Sequence, residues 1–316
     1  MKITVLDGYS LNPGDNPWNE VSKLGAFVCH DRTPSELIVE RAKDADIILT
    51  NKTPLSADTL AKLPKLKFIS VLATGYNIVD VKVARARSIG VANAPIYATD
   101  AVAEYVFALL LNFYRQPQLH SDLVKNGEWS KTEWSFWRTP LTEVAGRTLG
   151  IVGFGRIGRR VGEIAAGFKM KVLANDPSCT NPPSYPFAWR EVPELFAESD
   201  AVTLHCNLTS ENSGMVNKAL LERMKPTAYL INTSRGPLVN DADLAEALQQ
   251  GKLAGAALDV VTTEPIPAGN PLLKAPNITI TPHIAWAALA ARRRLMKITA
   301  ENVAAFLAGK PINLVN

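Results

Sequence analysis

Arg235, Glu264 and His283 each stand a few residues beyond a short apolar run, respectively Ala228–Asn232, Ala254–Leu258 and Ile278–Thr281. In an open parallel sheet, ligands sit outside the carboxyl ends of the strands, so the three residues belong to one rim. Histidine can donate a proton to an oxygen while hydride reaches the carbon. A carboxylate nearby favours the protonated imidazole. The planar fork of arginine can hold a substrate carboxylate and polarise the adjacent carbonyl. Together they suit carbonyl reduction beside a nicotinamide. Each also has a plainer reading. Arg235-Gly236 can simply close a turn, Glu264-Pro265 can be a solvated loop carboxylate, and His283 a satisfied loop histidine. His205, at the end of another strand, either shapes the same pocket or hydrogen-bonds locally. No cluster has metal-ligand spacing, so no metal is expected, and no Gly-x-Ser-x-Gly elbow suggests hydrolysis.

A nicotinamide needs a dinucleotide site, and Thr148-Leu-Gly-Ile-Val-Gly-Phe-Gly-Arg-Ile-Gly158 has the form of one. Leu149–Val152 reads as a buried strand; Ile157, Val161, Ile164 and Ala165 then recur at helical spacing. Gly153, Gly155 and Gly158 suit a tight turn, a close approach of pyrophosphate and close packing of helix on strand. The helix start welcomes an anion. Asp176 ends the next apolar run, 176 − 153 = 23 positions after Gly153. A carboxylate there accepts from ribose hydroxyls and repels a 2′-phosphate. Pro177 and Ser178 follow with no arginine alongside, which favours NAD over NADP.

The elements that position these residues alternate between apolar strand and amphipathic helix. Before residue 98, strands are predicted at Lys2–Leu6, Ala26–Cys29, Ile47–Thr50 and Phe68–Leu72. Thr33 is predicted to cap a helix through Ala42, and Ser56 one through Leu63. Such alternation gives a parallel sheet covered by helices on both faces. The turn Ala73-Thr74-Gly75 can gather N–H groups around a small carboxylate, or be a simple glycine turn. Thr99 or Asp100 caps an apolar helix Ala101–Tyr114. Further strands are predicted at Lys171–Ala174 and Ala201–Cys206, and a long helix runs from Trp286 to Leu307. That helix is expected to return to the first unit. The fold class is therefore α/β: two doubly wound, Rossmann-like parallel-sheet domains with a cleft between them. The cofactor domain (99–288) is inserted in a discontinuous substrate domain (1–98 and 289–316).

Bulk properties narrow the classes. Thirty-four basic residues against 30 acidic ones leave a mild excess of +4. The basic cluster Arg292-Arg293-Arg294 lies in an amphipathic pattern and reads as a solvated helix face rather than a nucleic-acid patch. Cys29, Cys179 and Cys206 are odd in number and widely spaced, which argues against disulfides and zinc. No apolar run has the length of a signal peptide or bilayer span, so a cytoplasmic protein with no membrane partner is expected. Trp129, Trp134 and Trp137 put three of the six tryptophans within nine residues. On an otherwise polar loop, they are expected at a subunit interface.

Along nearly its whole length the chain resembles the D-isomer-specific 2-hydroxyacid dehydrogenases. The resemblance is carried by Ala73-Thr-Gly-Tyr-Asn77, Ala101-Val-Ala-Glu104, Gly153-Phe-Gly-Arg-Ile-Gly158, Ile231-Asn-Thr-Ser-Arg-Gly236, Ala257-Leu-Asp-Val260, Glu264-Pro265 and Thr281-Pro-His283. It implies Arg235 as the substrate-orienting arginine, Glu264 as the partner of the histidine and His283 as acid/base. It implies substrate contacts at Ala73, Thr74, Gly75, Arg235 and His283. Cofactor contacts fall to Thr99, Gly153, Gly155, Arg156, Ile157, Gly158, Asp176, His205, Thr233 and Asp259, the last reaching the nicotinamide carboxamide. A homodimer follows, with the tryptophan segment as its arm. Asp7-Gly-Tyr-Ser-Leu-Asn-Pro-Gly14, Asp31-Arg-Thr-Pro34 and Leu49–Leu55 look most like the glycerate dehydrogenase, or hydroxypyruvate reductase, branch. The implied substrate is a small 2-oxo acid. Glyoxylate or pyruvate reduction, or a non-catalytic NAD(H)-sensing corepressor role, are the alternatives.

Overall fold

Two separate parallel sheets carry the chain. A computed structural model describes residues 1–178 and 181–316, so Cys179 lies outside the described residues. These divide into one unit of Met1–Ala98 with Trp286–Asn316 and another of Thr99–Ala285. The return to the first unit falls at Trp286, earlier than the expected 289. Its ring packs edge-on against Tyr97, centroids 6.2 Å apart, which ties it to that unit.

In the first unit the strands are β1 (Lys2–Val5), β2 (Ala26–Cys29), β3 (Ile47–Thr50), β4 (Phe68–Val71) and β5 (Gly90–Ala92). They lie in the order β2-β1-β3-β4-β5, all parallel. Every residue of β3 and β4 is buried, as a parallel sheet covered on both faces requires. Only β5 was not foreseen, because three residues carry no readable period. Ser56 does cap the helix Ala57–Ala61, its hydroxyl accepting from the Thr59 N–H. Thr33 does not cap. Its hydroxyl donates to the Leu6 carbonyl at 2.6 Å, and the chain enters the helix Ile38–Ala42 through a 3-10 turn, Ser35–Leu37.

The helix Leu289–Leu307 belongs to this unit: Phe306 stacks on Phe68 with centroids 4.4 Å apart, and Asn302 donates to the Asn93 carbonyl. The solvated-face reading holds for Arg293 and Arg294 but not for Arg292. Arg292 is only 8% exposed, with Nη2 2.7 Å from Oδ2 of Asp15. The sequence separation of 277 residues hid that partner.

In the second unit the strands are β6 (Thr148–Val152), β7 (Lys171–Asn175), β8 (Ala188–Trp189), β9 (Ala201–Leu204), β10 (Tyr229–Asn232), β11 (Gly255–Leu258) and β12 (Ile278–Ile280). Their order is β12-β11-β10-β9-β6-β7-β8, again all parallel. The direction of winding therefore reverses between β6 and β9, the point at which such sheets bind ligands. The helix Thr99–Arg115 buries Val102, Val106, Phe107 and Leu110, and Thr99 is its first residue rather than a flanking cap. A further helix, Pro117–Lys125, was not foreseen. Beyond it Trp129, Trp134 and Trp137 are 52%, 80% and 65% exposed. Among the described residues no helix is long and apolar enough to cross a membrane, and no His, Cys, Asp and Glu group could hold a metal. Cys29 and Cys206 are free thiols.

Candidate active site

At the switch point, β6 turns into the helix Arg156–Gly167. Gly153 has φ +91°, and a Cβ on it would fall 2.2 Å from the backbone nitrogen of Cys206, which follows β9. Only glycine lets the two strand ends come this close. Gly155 is the N-cap, and Arg156, Ile157 and Gly158 form the first turn. A first helical turn offers N–H groups without intrahelical acceptors, together with the positive dipole end, so the position suits a pyrophosphate.

Asp176 directly follows β7. Its Oδ2 accepts from the Phe154 N–H at 2.8 Å, and its Oδ1 from the Ser178 N–H and hydroxyl, both at 2.9 Å. Burial opposes its charge, but these donors hold the carboxyl below its ordinary value. The sequence reading found no arginine alongside. There is one: the charge of Arg159 acts on Asp176, and its Nε donates to the Phe154 carbonyl at 3.2 Å. It comes from the helix rather than from the residues after Asp176, which is why spacing did not reveal it.

The register pairs Asn232 with Leu258 and Leu258 with Ile280, so the loops bearing Arg235, Asp259 and His283 leave one edge of the sheet. Asn232 holds the Arg235 carbonyl through Nδ2 at 2.8 Å, and Arg235 Nη1 donates to the Ser234 carbonyl at 2.7 Å. Next to it, Gly236 lies so near the Val261 carbonyl that a Cβ would fall 1.9 Å from the oxygen. The arginine loop is thus pressed against the loop that leads from β11 to Glu264.

Asp259 is 1% exposed. Its Oδ1 accepts from the Thr281 hydroxyl (2.6 Å) and the Ile284 N–H (2.8 Å), and its Oδ2 from the Ala285 N–H (2.8 Å). Its backbone carbonyl accepts from the His283 N–H at 2.8 Å. Asp259 therefore fixes both sides of His283, whose φ of 56° lies in the left-handed region. Each carboxylate oxygen can accept twice, so Oδ2 keeps one acceptor direction for a carboxamide. The imidazole Nδ1 of His283 is 2.7 Å from Oε2 of Glu264, with side chains 27% and 32% exposed.

His205 makes a local contact, its Nε2 2.9 Å from the Thr203 hydroxyl, and burial pushes its pKa down to about 3. The Thr233 hydroxyl oxygen is buried without a hydrogen-bond partner among the described residues, so it fits a donor or acceptor brought by a bound cofactor.

In the first unit, Ala73-Thr74-Gly75 follows β4. The Thr74 hydroxyl donates to the Ala94 carbonyl and Asn93 Nδ2 to the Thr74 carbonyl, both at 2.7 Å. Two residues missed at the sequence level support this region. Asn51 Nδ2 donates to the Leu72 carbonyl, and the buried Asp7 carboxylate accepts from the N–H groups of Asn51, Lys52 and Thr53. Their only signal was an acid and an amide placed directly at strand ends.

A family model described as "D-isomer specific 2-hydroxyacid dehydrogenase, NAD binding domain" matches residues 107–285. The chain is 47% identical to a hydroxypyruvate reductase of Blautia hydrogenotrophica over 100% of both chains. It is 41% identical to a glycerate dehydrogenase of Methylorubrum extorquens over 99% of this chain and 98% of that one. A crystal structure of D-lactate dehydrogenase from Aquifex aeolicus, complexed with NAD and lactic acid, matches with a TM-score of 0.85 at 29% identity, covering 100% of this chain and 99% of that one. With the dinucleotide turn at its switch point and these relatives spanning its length, the chain belongs to the D-isomer-specific 2-hydroxyacid dehydrogenases, as an NAD-dependent oxidoreductase acting on CH–OH in the glycerate dehydrogenase and hydroxypyruvate reductase branch.

Proposed function

We propose that the chain reduces hydroxypyruvate to D-glycerate, with Arg235, Glu264 and His283 as its catalytic set. The Gly153 turn would hold NADH, which when bound would supply the hydride for C2. The proton for the carbonyl oxygen comes from His283. With Nδ1 engaged by Glu264, that proton is carried on Nε2, and the carboxylate stabilises the imidazolium until it is delivered. Arg235 grips the substrate carboxylate and polarises the carbonyl. The N–H groups of the Ala73-Thr74-Gly75 turn are further carboxylate ligands. Thr99, Gly155, Arg156, Ile157, Gly158, His205 and Thr233 line the cofactor, Asp176 accepts from its ribose hydroxyls, and Asp259 reaches its carboxamide.

The observation that carries this reading is the 2.7 Å contact between His283 and Glu264. An acid paired with a rim histidine speaks for catalysis over NAD(H) sensing alone. The test is oxidation of NADH with hydroxypyruvate, glyoxylate and pyruvate as separate substrates. Turnover should be fastest with hydroxypyruvate; NADH binding without turnover on any of the three overturns the proposal. We further assign a homodimer, acting in the cytoplasm, whose interface covers Trp129, Trp134 and Trp137.

A further inference from the structure

Several arginines in this chain answer a carboxylate: Arg138 pairs with Glu128, Arg160 with Asp100, Arg190 with Glu198 and Arg292 with Asp15. Arg32 and Arg41 do not. Among the described residues neither makes an ion pair, yet both line one cavity of about 670 Å³ in the first unit, with Tyr9, Cys29, His30 and Asp31. The cavity lies where β1 and β2 end, since Tyr9 and Cys29–Arg32 follow or close those strands. That is the end at which open parallel sheets take ligands. None of its residues belongs to the proposed catalytic, cofactor or substrate sets.

The two guanidinium groups are held in place by contacts that leave their charge unanswered. Arg32 rests over the Tyr9 ring, 5.0 Å from the centroid. Arg41 uses Nη1 alone, donating to the Arg32 carbonyl at 2.7 Å and to the Thr33 hydroxyl at 3.0 Å. Its Nε and Nη2 keep their donors. Burial, and then the charge of Arg41, lower the pKa of His30, so a neutral imidazole stands beside that guanidinium. The one acid at the cavity, Asp31, leaves a net charge of +1 over the three charged side chains.

We propose that this cavity binds a phosphate monoester, with Arg32 and Arg41 holding the phosphate oxygens and His30 and Tyr9 donating beside them. A single guanidinium fork satisfies a carboxylate; two facing one cavity match a dianion with three terminal oxygens. The cavity opens widely to solvent, so the organic remainder of the ester can extend from it. Asp31 limits affinity, since its charge opposes any anion.

The test is isothermal titration of the whole protein with methyl phosphate and, separately, acetate, at matched ionic strength. NADH is kept saturating so that the pyrophosphate turn is occupied. Methyl phosphate should bind at one site per chain and acetate should not. Arg32→Ser and Arg41→Lys should each weaken methyl phosphate about tenfold or more, the loss of a charge-assisted hydrogen bond. Asp31→Asn should tighten it. Arg32 is exposed and outside the proposed active site, so Arg32→Ser should fold and keep wild-type NADH oxidation. Equal binding of acetate, unchanged affinity in Arg32→Ser, or weak binding of inorganic phosphate alone, an adventitious ion only, would each overturn the proposal.

Discussion

Nδ1 of His283 lies 2.7 Å from Oε2 of Glu264, although the two are 19 positions apart and follow different strands. The pair forms because β11 and β12 are neighbours and because Asp259 holds the intervening loop by its carbonyl and its carboxylate. His283→Ala should lower turnover roughly 10²- to 10⁴-fold while leaving the Kd for NADH within about twofold. Glu264→Gln should cost about tenfold to a hundredfold, and Glu264→Asp less, since only the first removes the charge. Stopped-flow reduction with separate NADH titrations checks both, and an undiminished rate in His283→Ala removes it from the mechanism.

In the proposed function, Asp176 sets the choice of dinucleotide. Asp176→Ser removes the charge that repels a 2′-phosphate and leaves Arg159 near the vacated position. The KM for NADH should rise about tenfold, the loss of one charge-assisted hydrogen bond, and kcat/KM with NADPH should increase. Steady-state kinetics with both cofactors decide it; an unchanged preference would mean that other residues set it.

Asp259 should prove structural as well as functional. Asp259→Ala strands the Thr281 hydroxyl and the N–H groups of Ile284 and Ala285, so unfolding free energy should fall by about 2–4 kcal/mol. Urea titration measures this, and hydrogen exchange should show amides 283–285 losing protection in the folded variant.

Acid should weaken the second unit through Asp200. Burial opposes its charge, but the Thr148 N–H at 2.8 Å and Lys225 at 2.9 Å hold its carboxyl below the ordinary value. A group whose folded pKa is depressed contributes stability that is present above its unfolded pKa, about 3.9, and lost as pH falls through the folded one. Asp200→Asn should therefore be less stable than wild type at pH 7, with the gap closing below about pH 4. A gap that stays constant with pH would exclude this carboxylate as its source.

The tryptophan segment tests assembly. Replacing Trp134 and Trp137, 80% and 65% exposed in the single chain, by serine should halve the mass seen by light scattering, with the circular dichroism spectrum kept. A wild-type protein that is already monomeric would refute the proposed interface.

The strands that carry the site were legible because burial on both faces writes them as unbroken apolar runs, as in β3, β4 and β6. The chemistry at their ends was legible for the same reason: Arg235, Asp259 and His283 stand where such runs stop. What could not be read comes from partners remote in sequence. The three donors on Asp259 lie 22 to 26 residues away, Asp15 reaches Arg292 across 277, and Arg159 approaches Asp176 from a helix. No local period encodes such meetings. The edge strands β5 and β8 escaped for the opposite reason, being three and two residues long.

The first unit closes on residues far down the chain: the Val315 N–H donates to the Val91 carbonyl, and Asn302 to the Asn93 carbonyl. During synthesis, residues 99–285 leave the ribosome uninterrupted and can fold as one stretch, whereas the sheet begun by Lys2 waits for its covering helix Leu289–Leu307, translated after all of them. A chain with residues 1–285 clear of the ribosome and the rest still held there would carry a finished nucleotide-binding half and an exposed, unclosed partner, the form on which chaperones are expected to act.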